Sequence, residues 1–219
     1  MLVTGASSGI GAALARAATA ERFRVVAVAR GAEQLTKTAA ATGALPVPAD
    51  VAVPGDMDRA VSAALDAHGR LDVVVANAGI GAPRGFTAST PERWREMVLT
   101  NVLGTALTIR AAVPALRAHT GHLVLVSSIA GRQALSGSLY SATKHAVTAM
   151  GESVRAELSG SGVRVTLVEP GTVNTPYFAT PPPGALEPED IARAILYAVS
   201  QPPHVDVGEL FVRPTAQAN

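Results

Sequence analysis

Cysteine is absent from this chain of 219 residues, which excludes a disulfide framework and any thiolate metal site. The lack of thiols fits a reducing compartment. Neither sign of charge is in excess: Lys and Arg number 18, Asp and Glu 17, and the formal net charge is +1. Such a balance calls for neither a nucleic acid nor an anionic membrane as partner. The start, MLVTGASSGIG, lacks the basic and long apolar segments of a secretory leader. No apolar run stands out as reaching the about 18 residues that a membrane span needs. Charged residues are scarce at 16%, against 48% hydrophobic, which suits a well-buried core and excludes a disordered segment. A cytoplasmic globular protein is expected. Its length allows one sizeable domain, and no linker, repeat or low-complexity tract divides residues 1–219.

What is present is a regular alternation of short apolar runs and amphipathic stretches. Strands are expected at 2–3, 23–29, 44–49, 71–76, 123–126, 163–168 and 205–212. Helices are expected at 10–20, 32–42, 54–68, 90–118, 140–158 and 188–200. Strands alternating with helices throughout give the α/β class, a doubly wound and mostly parallel sheet. Thr90 is the expected N-cap of the longest helix, with Pro91 at its first position and Trp94 as packing. Asn101 falls within that helix, where asparagine competes for backbone hydrogen bonds, and Gly104 within the next turn invites a kink. On these residues alone, Asn101 is equally a satisfied core group or part of a site.

The first strand runs directly into Thr4-Gly5-Ala6-Ser7-Ser8-Gly9-Ile10-Gly11 and then a helix. A Gly-rich turn opening a helix can receive a pyrophosphate on backbone N–H groups, although the spacing is G-x-x-x-G-x-G and a tight turn could look the same. The second strand ends in Arg30. In a βαβ dinucleotide site an acidic residue about 20 positions past the turn binds the ribose 2′-OH, whereas an arginine suits a 2′-phosphate. Arg30 therefore points to NADP(H) over NAD(H), the alternative being a solvated arginine at a strand end.

The densest stretch is Val124–Lys144, VLVSSIAGRQALSGSLYSATK. A buried strand delivers Ser127 and Ser128, a Gly-containing loop follows, and Tyr140 and Lys144 come four residues apart. On a helix that spacing stacks phenol and ammonium on one face. A cation close to a phenol favours the phenolate and lowers its pKa from about 10 toward neutrality, where it could give and take a proton. YxxxK alone would equally suit a helix with one exposed lysine; the hydroxyl at the adjoining strand end favours a site.

Taken in order, TGASSGIG (4–11), Asp50-Val51, Asn77-Ala78-Gly79, Asn101, Ser127-Ser128, YSATK (140–144) and PGTVNT (170–175) resemble the short-chain dehydrogenase/reductase family over essentially the whole chain. The tail, PEDIARAILYAVSQPP and then ELFVRPTAQ, resembles the NADP-dependent branch that includes hydroxy-acid and serine-type dehydrogenases. The resemblance implies a Rossmann-type domain of seven parallel strands, a carbonyl/alcohol substrate and a tetrad of Asn101, Ser128, Tyr140 and Lys144. Tyr140 would be the general acid/base, Lys144 would lower its pKa and bind the nicotinamide ribose, Ser128 would hold the substrate oxygen, and Asn101 would anchor a water. The cofactor implied is NADP(H). Gly5, Ser7, Ser8, Ile10 and Gly11 would face its phosphates and adenosine ribose, Arg30 its 2′-phosphate, and Asp50 with Val51 its adenine. Asn77, Ala78 and Gly79 would line the ribose and ring, and the turn with Pro170, Gly171, Val173 and Thr175 would hold the carboxamide. A homodimer or homotetramer is implied, built on helices 91–118 and 140–159.

The chain departs from the family in three places. Only Met1–Thr4 precede the glycine turn. Ser128 lies 12 residues before Tyr140 and Ser127 lies 13 before it, the family's usual spacing, so either serine fits, with the strand end favouring Ser128. The proline-bearing flap between Thr175 and Pro188 is short, and Leu135, Ser136, Tyr177 and Phe178 are expected to line an open pocket. Two other classes remain in view: a regulatory protein that binds NADP(H) without turnover, and an isomerase or dehydratase that uses nicotinamide transiently. The five histidines show no metal spacing beyond His119-x-x-His122, where surface histidines are expected.

Overall fold

The computed structural model describes residues 1–178, 180 and 182–217. Seven parallel strands form one sheet, β1 (Leu2–Thr4), β2 (Val26–Ala29), β3 (Leu45–Pro48), β4 (Val73–Ala76), β5 (His122–Val126), β6 (Arg164–Pro170) and β7 (Glu209–Val212), in the order β3-β2-β1-β4-β5-β6-β7. Val26–Ala29, Val73–Ala76 and 123–126 are apolar without interruption because both faces are covered, as parallel sheets require. Side chains still alternate between the layers. Leu2, Val74, Leu123 and Leu125 point into one core, and Val3, Val75, Val124 and Val126 into the other.

The first core is closed by α3 (Asp56–His68), α5 (Gly104–Ala118) and α6 (Leu139–Glu157), which contribute Met57, Leu116 and Val147. The second is closed by α1 (Gly9–Ala20), α2 (Ala32–Thr42) and α7 (Pro188–Val199), with Leu14, Leu35, Ile191 and Ile195. Truncating any of these large buried side chains to alanine costs about 2–5 kcal/mol. Pro46 and Pro48 are tolerated in β3 because it is an edge strand.

The long helix is not uniform. α4 (Pro91–Val98) passes through a π-helical turn, Leu99–Leu103, into α5. The kink expected at Asn101 and Gly104 is thus an extra-residue turn. Gly104 packs so close to Val51 that a Cβ would lie 2.5 Å from its methyl carbon. The run Pro91–Ala118 is also long and apolar enough, by length and composition, to cross a membrane, which corrects the expectation that no such run exists. In the fold its inner face, Ala111, Ala112, Ala115 and Leu116, is buried in the sheet core.

Other boundaries move for local reasons. β2 begins at Val26 and not Phe23, because the Phe23 amide still closes α1 on Ala18 O. β4 begins at Val73 and not Leu71. Residues 205–208 stay out of β7: the Val205 carbonyl accepts from Arg164 and that of Val207 from Thr166 Oγ1. α3 begins at Asp56, since Gly55, with φ of 87°, precedes it in place of Pro54. His122 is buried at 1% exposure in β5 and is no surface histidine; its Nε2 pairs with Thr166 Oγ1 at 2.7 Å.

Candidate active site

The strand order reverses between β1 and β4, the place where an open α/β sheet leaves a crevice beyond its strand ends. Thr4 stitches that point together. Its Oγ1 accepts from the amides of Asn77 and Ala78, both at 3.0 Å, and its carbonyl accepts from Asn77 Nδ2 at 2.8 Å. A cleft of about 900 Å³ opens there, with Gly5, Ser7, Ser8, Ile10, Arg30, Asp50 and Val51 at one end. Asn77, Ala78 and Gly79 line its middle, and Ser128, Tyr140, Lys144, Pro170, Gly171, Val173 and Thr175 the other end. Two expected residues stand behind this wall, Gly11 and Asn101.

Gly5 adopts φ of 67°, a region that glycine reaches without strain. Gly11 packs on the Gly5 carbonyl, and a Cβ there would also lie 2.8 Å from Asn77 Nδ2. The turn therefore brings the start of α1 close against the β4 loop. Ser8, the N-cap of α1, makes no side-chain cap bond, so the first-turn N–H groups are free of a side-chain cap beside the cleft. Uncapped helix amides beside a glycine cradle fit a pyrophosphate. The donor set thus suits a dinucleotide.

Asp50 accepts from the Ala52 amide at 2.9 Å, and its own amide donates to Asp56 Oδ2 at 2.8 Å. The carboxylate of Asp56 thus fixes the Asp50-Val51 turn, a supporting residue with no motif to announce it. Arg30 Nη1 lies 3.2 Å from Glu96 Oε1 and 3.9 Å from Asp50 Oδ2.

Ser138 caps α6 by accepting from the Ser141 amide at 3.1 Å, which places Tyr140 in the first turn and Lys144 one turn on. Ser128 Oγ accepts from the Ala130 amide at 3.1 Å and donates to the Pro170 carbonyl at 3.4 Å, and it lies close enough to the Tyr140 phenol to favour its ionised form. Ser127 is turned away, donating to the Lys144 carbonyl at 3.1 Å and pairing with Thr148 Oγ1 at 2.8 Å. Both serines line the cleft, but the Ser127 hydroxyl is committed to α6, which leaves Ser128 as the serine beside the phenol.

The expected lowering of the Tyr140 pKa is not what this arrangement gives. Burial raises it well above the ordinary phenol value, the neighbouring Tyr177 adds to the rise, and the nearby Ser128 hydroxyl only partly opposes them. Lys144 Nζ sits 5.7 Å from the Tyr140 ring centre and donates to Val126 O at 2.9 Å. Its own pKa is pushed down to about 8 by burial. Desolvation here outweighs the attraction of a cation that faces another acceptor.

Asn101 is buried and fully engaged. Its Oδ1 accepts from the Ile80 amide and its Nδ2 donates to the Ile80 carbonyl, each at 2.9 Å, and to Thr143 Oγ1 at 3.0 Å. It clamps the 79–81 turn to α6. Leu135, Tyr177 and Phe178 line the cleft as expected, whereas Ser136 does not. The Tyr177 ring fills the space where a Gly81 side chain would start and lies 5.7 Å from the Tyr140 ring. Pro181 of the flap lies outside the described residues. Ile80, Gly81, Arg84, Arg93 and Thr100 also line the cleft; no motif marks them, and only their nearness to NAG and Asn101 in sequence points to them.

The family model described as short chain dehydrogenase matches residues 1–183. An uncharacterized oxidoreductase of Staphylococcus aureus is 39% identical over 221 residues, spanning 97% of this chain and 96% of its own. An alcohol dehydrogenase from the archaeon Thermococcus sibiricus, complexed with 5-hydroxy-NADP, superimposes with a TM-score of 0.91 at 30% identity, covering 100% of this chain and 97% of that one. A 3-ketoacyl-(acyl-carrier-protein) reductase from Brucella melitensis, complexed with NADH, gives 0.90 at 29% identity over 98% and 96% of the two chains.

Proposed function

The chain belongs to the short-chain dehydrogenase family and is an oxidoreductase; from that premise we propose that it interconverts a carbonyl and an alcohol on a small molecule with NADP(H). The observation that carries this reading is that Ser128, Tyr140 and Lys144 line one cleft, with the Ser128 hydroxyl beside the phenol. Two hydroxyls converging there can hold one substrate oxygen, and Tyr140, kept neutral by burial, is a proton donor for it. NADP(H), when bound, supplies or accepts the hydride.

Lys144 provides the positive charge that offsets a phenolate left after proton transfer. Its bond to Val126 O keeps that charge at a fixed place under the ring. Asn101 acts behind them, holding Ile80 and Thr143 in register. Gly5, Ser7, Ser8 and Ile10 hold the pyrophosphate and adenosine ribose, Gly11 lets that turn close, and Asp50 with Val51 receives the adenine. Asn77, Ala78 and Gly79 line the ribose, and Pro170, Gly171, Val173 and Thr175 the carboxamide. Arg30 takes the 2′-phosphate, which favours NADP(H).

The chain works as a single cytoplasmic domain and associates as a homodimer or homotetramer. Val98 and Leu103, each 39% exposed along the α4–α5 run, are apolar surface that association would cover. The cofactor assignment is tested by titrating the wild-type protein and Arg30→Ala with NADPH and with NADH. Preferential loss of NADPH binding in Arg30→Ala is expected; equal losses would remove Arg30 from the 2′-phosphate.

A further inference from the structure

Arg30 leaves the end of β2, on one bank of the cleft, and Glu96 comes from α4 on the other. The two meet at 3.2 Å. Glu96 Oε2 also accepts from Arg93 Nη1 at 2.7 Å, and Arg93 Nε donates to the Gly81 carbonyl at 2.9 Å. With Asp50 at 3.9 Å from Arg30, two arginines and two carboxylates form a group of zero net charge. Glu96 stays ionised: its partial burial opposes that, and the hydrogen bonds from Arg30 and Arg93 override it.

A site built only for a phosphate dianion would leave its arginine unclaimed. Here the guanidinium edge is already taken by a carboxylate, and a 2′-phosphate has to compete for it. Half-exposed pairs of this kind are weak enough to exchange, but the displaced carboxylate remains nearby, held by Arg93, and repels the incoming charge. A cofactor without the phosphate meets no such competition.

We propose that Glu96 is a cofactor-specificity residue, whose carboxylate occupies Arg30 in the free protein and narrows the preference of the site for NADP(H) over NAD(H). The inference rests on Arg30 being the 2′-phosphate ligand, as read above. Because Glu96 is half-exposed and both its bonds are to side chains, Glu96→Gln removes the charge and leaves one accepting oxygen for two guanidinium groups, which weakens the hold on Arg30.

The test is titration of wild-type protein, Glu96→Gln and Arg30→Ala with NADPH and with NADH, followed by nicotinamide fluorescence. Glu96→Gln is expected to bind NADPH about two- to fivefold more tightly and NADH as wild type does. The gain should shrink as salt is raised. Unchanged or weakened NADPH binding in Glu96→Gln would overturn the inference, as would an equal gain for both cofactors. If Arg30→Ala binds NADPH as tightly as wild type, the reading of Arg30 fails, and the inference falls with it.

Discussion

Lys144 donates its hydrogen bond to the carbonyl of Val126, 2.9 Å away, while its ammonium lies 5.7 Å from the centre of the Tyr140 ring. The helix spacing i,i+4 does stack the two side chains. The nitrogen nevertheless serves the end of β5, so the phenol is governed by its burial and by Ser128.

The free protein is therefore expected to keep Tyr140 protonated through the neutral range. Phenolate absorbance, taken as wild type minus Tyr140→Phe, should show no step below the ordinary phenol value of 10.0, because burial displaces the pKa upward. A step near neutrality would mean that the ammonium reaches the phenol in solution.

Asn101 holds both the amide and the carbonyl of Ile80. Asn101→Ala strands those backbone groups and Thr143 in a buried place, at a cost of about 2 kcal/mol or more. For a chain of this size the melting temperature should fall by about 4–8 °C, together with a loss of turnover. A melting temperature within about 1 °C of wild type would show that the clamp is not needed for the fold.

His122 gives a pH dependence of stability whose sign is fixed. Burial, helped by Arg164, pushes its pKa from 6.5 down to about 3. Between those values the unfolded chain binds a proton there and the folded protein does not. Stability from this group is thus complete above the unfolded value and is lost as pH falls toward 3, by up to about 1.4 kcal/mol per pH unit. Denaturant unfolding of wild type and His122→Gln at pH 6.5 and at pH 4.5 should show the flatter profile in the variant. Parallel profiles would place a charged or solvated His122 in the native state.

The layers of the fold were legible in the sequence because the central strands are covered on both faces and carry unbroken apolar runs, such as 73–76 and 123–126. Gly5 and Gly11 announced the cleft through a turn that other residues cannot make. Strand ends were harder. Val205 and Val207 alternate with Asp206 as in a strand, yet side chains of Arg164 and Thr166 take the carbonyls of Val205 and Val207, and pairing of this kind depends on tertiary distance. Glu96 was invisible for the same reason: its partner Arg30 is 66 residues away. The choice between Ser127 and Ser128 needed the fold, since neighbouring serines at a strand end face opposite ways.

Tyr140 is expected to act as the proton donor of an NADP(H)-dependent carbonyl/alcohol oxidoreductase. That role is tested most directly by following nicotinamide absorbance with NADPH and a panel of carbonyl compounds, for wild type and Tyr140→Phe. Wild type should turn over, kcat of the variant should fall about a hundredfold or more, and its NADPH binding should stay within about threefold of wild type. Wild-type rates in Tyr140→Phe, or tight NADPH binding with no turnover of any carbonyl by the wild-type protein, would contradict it.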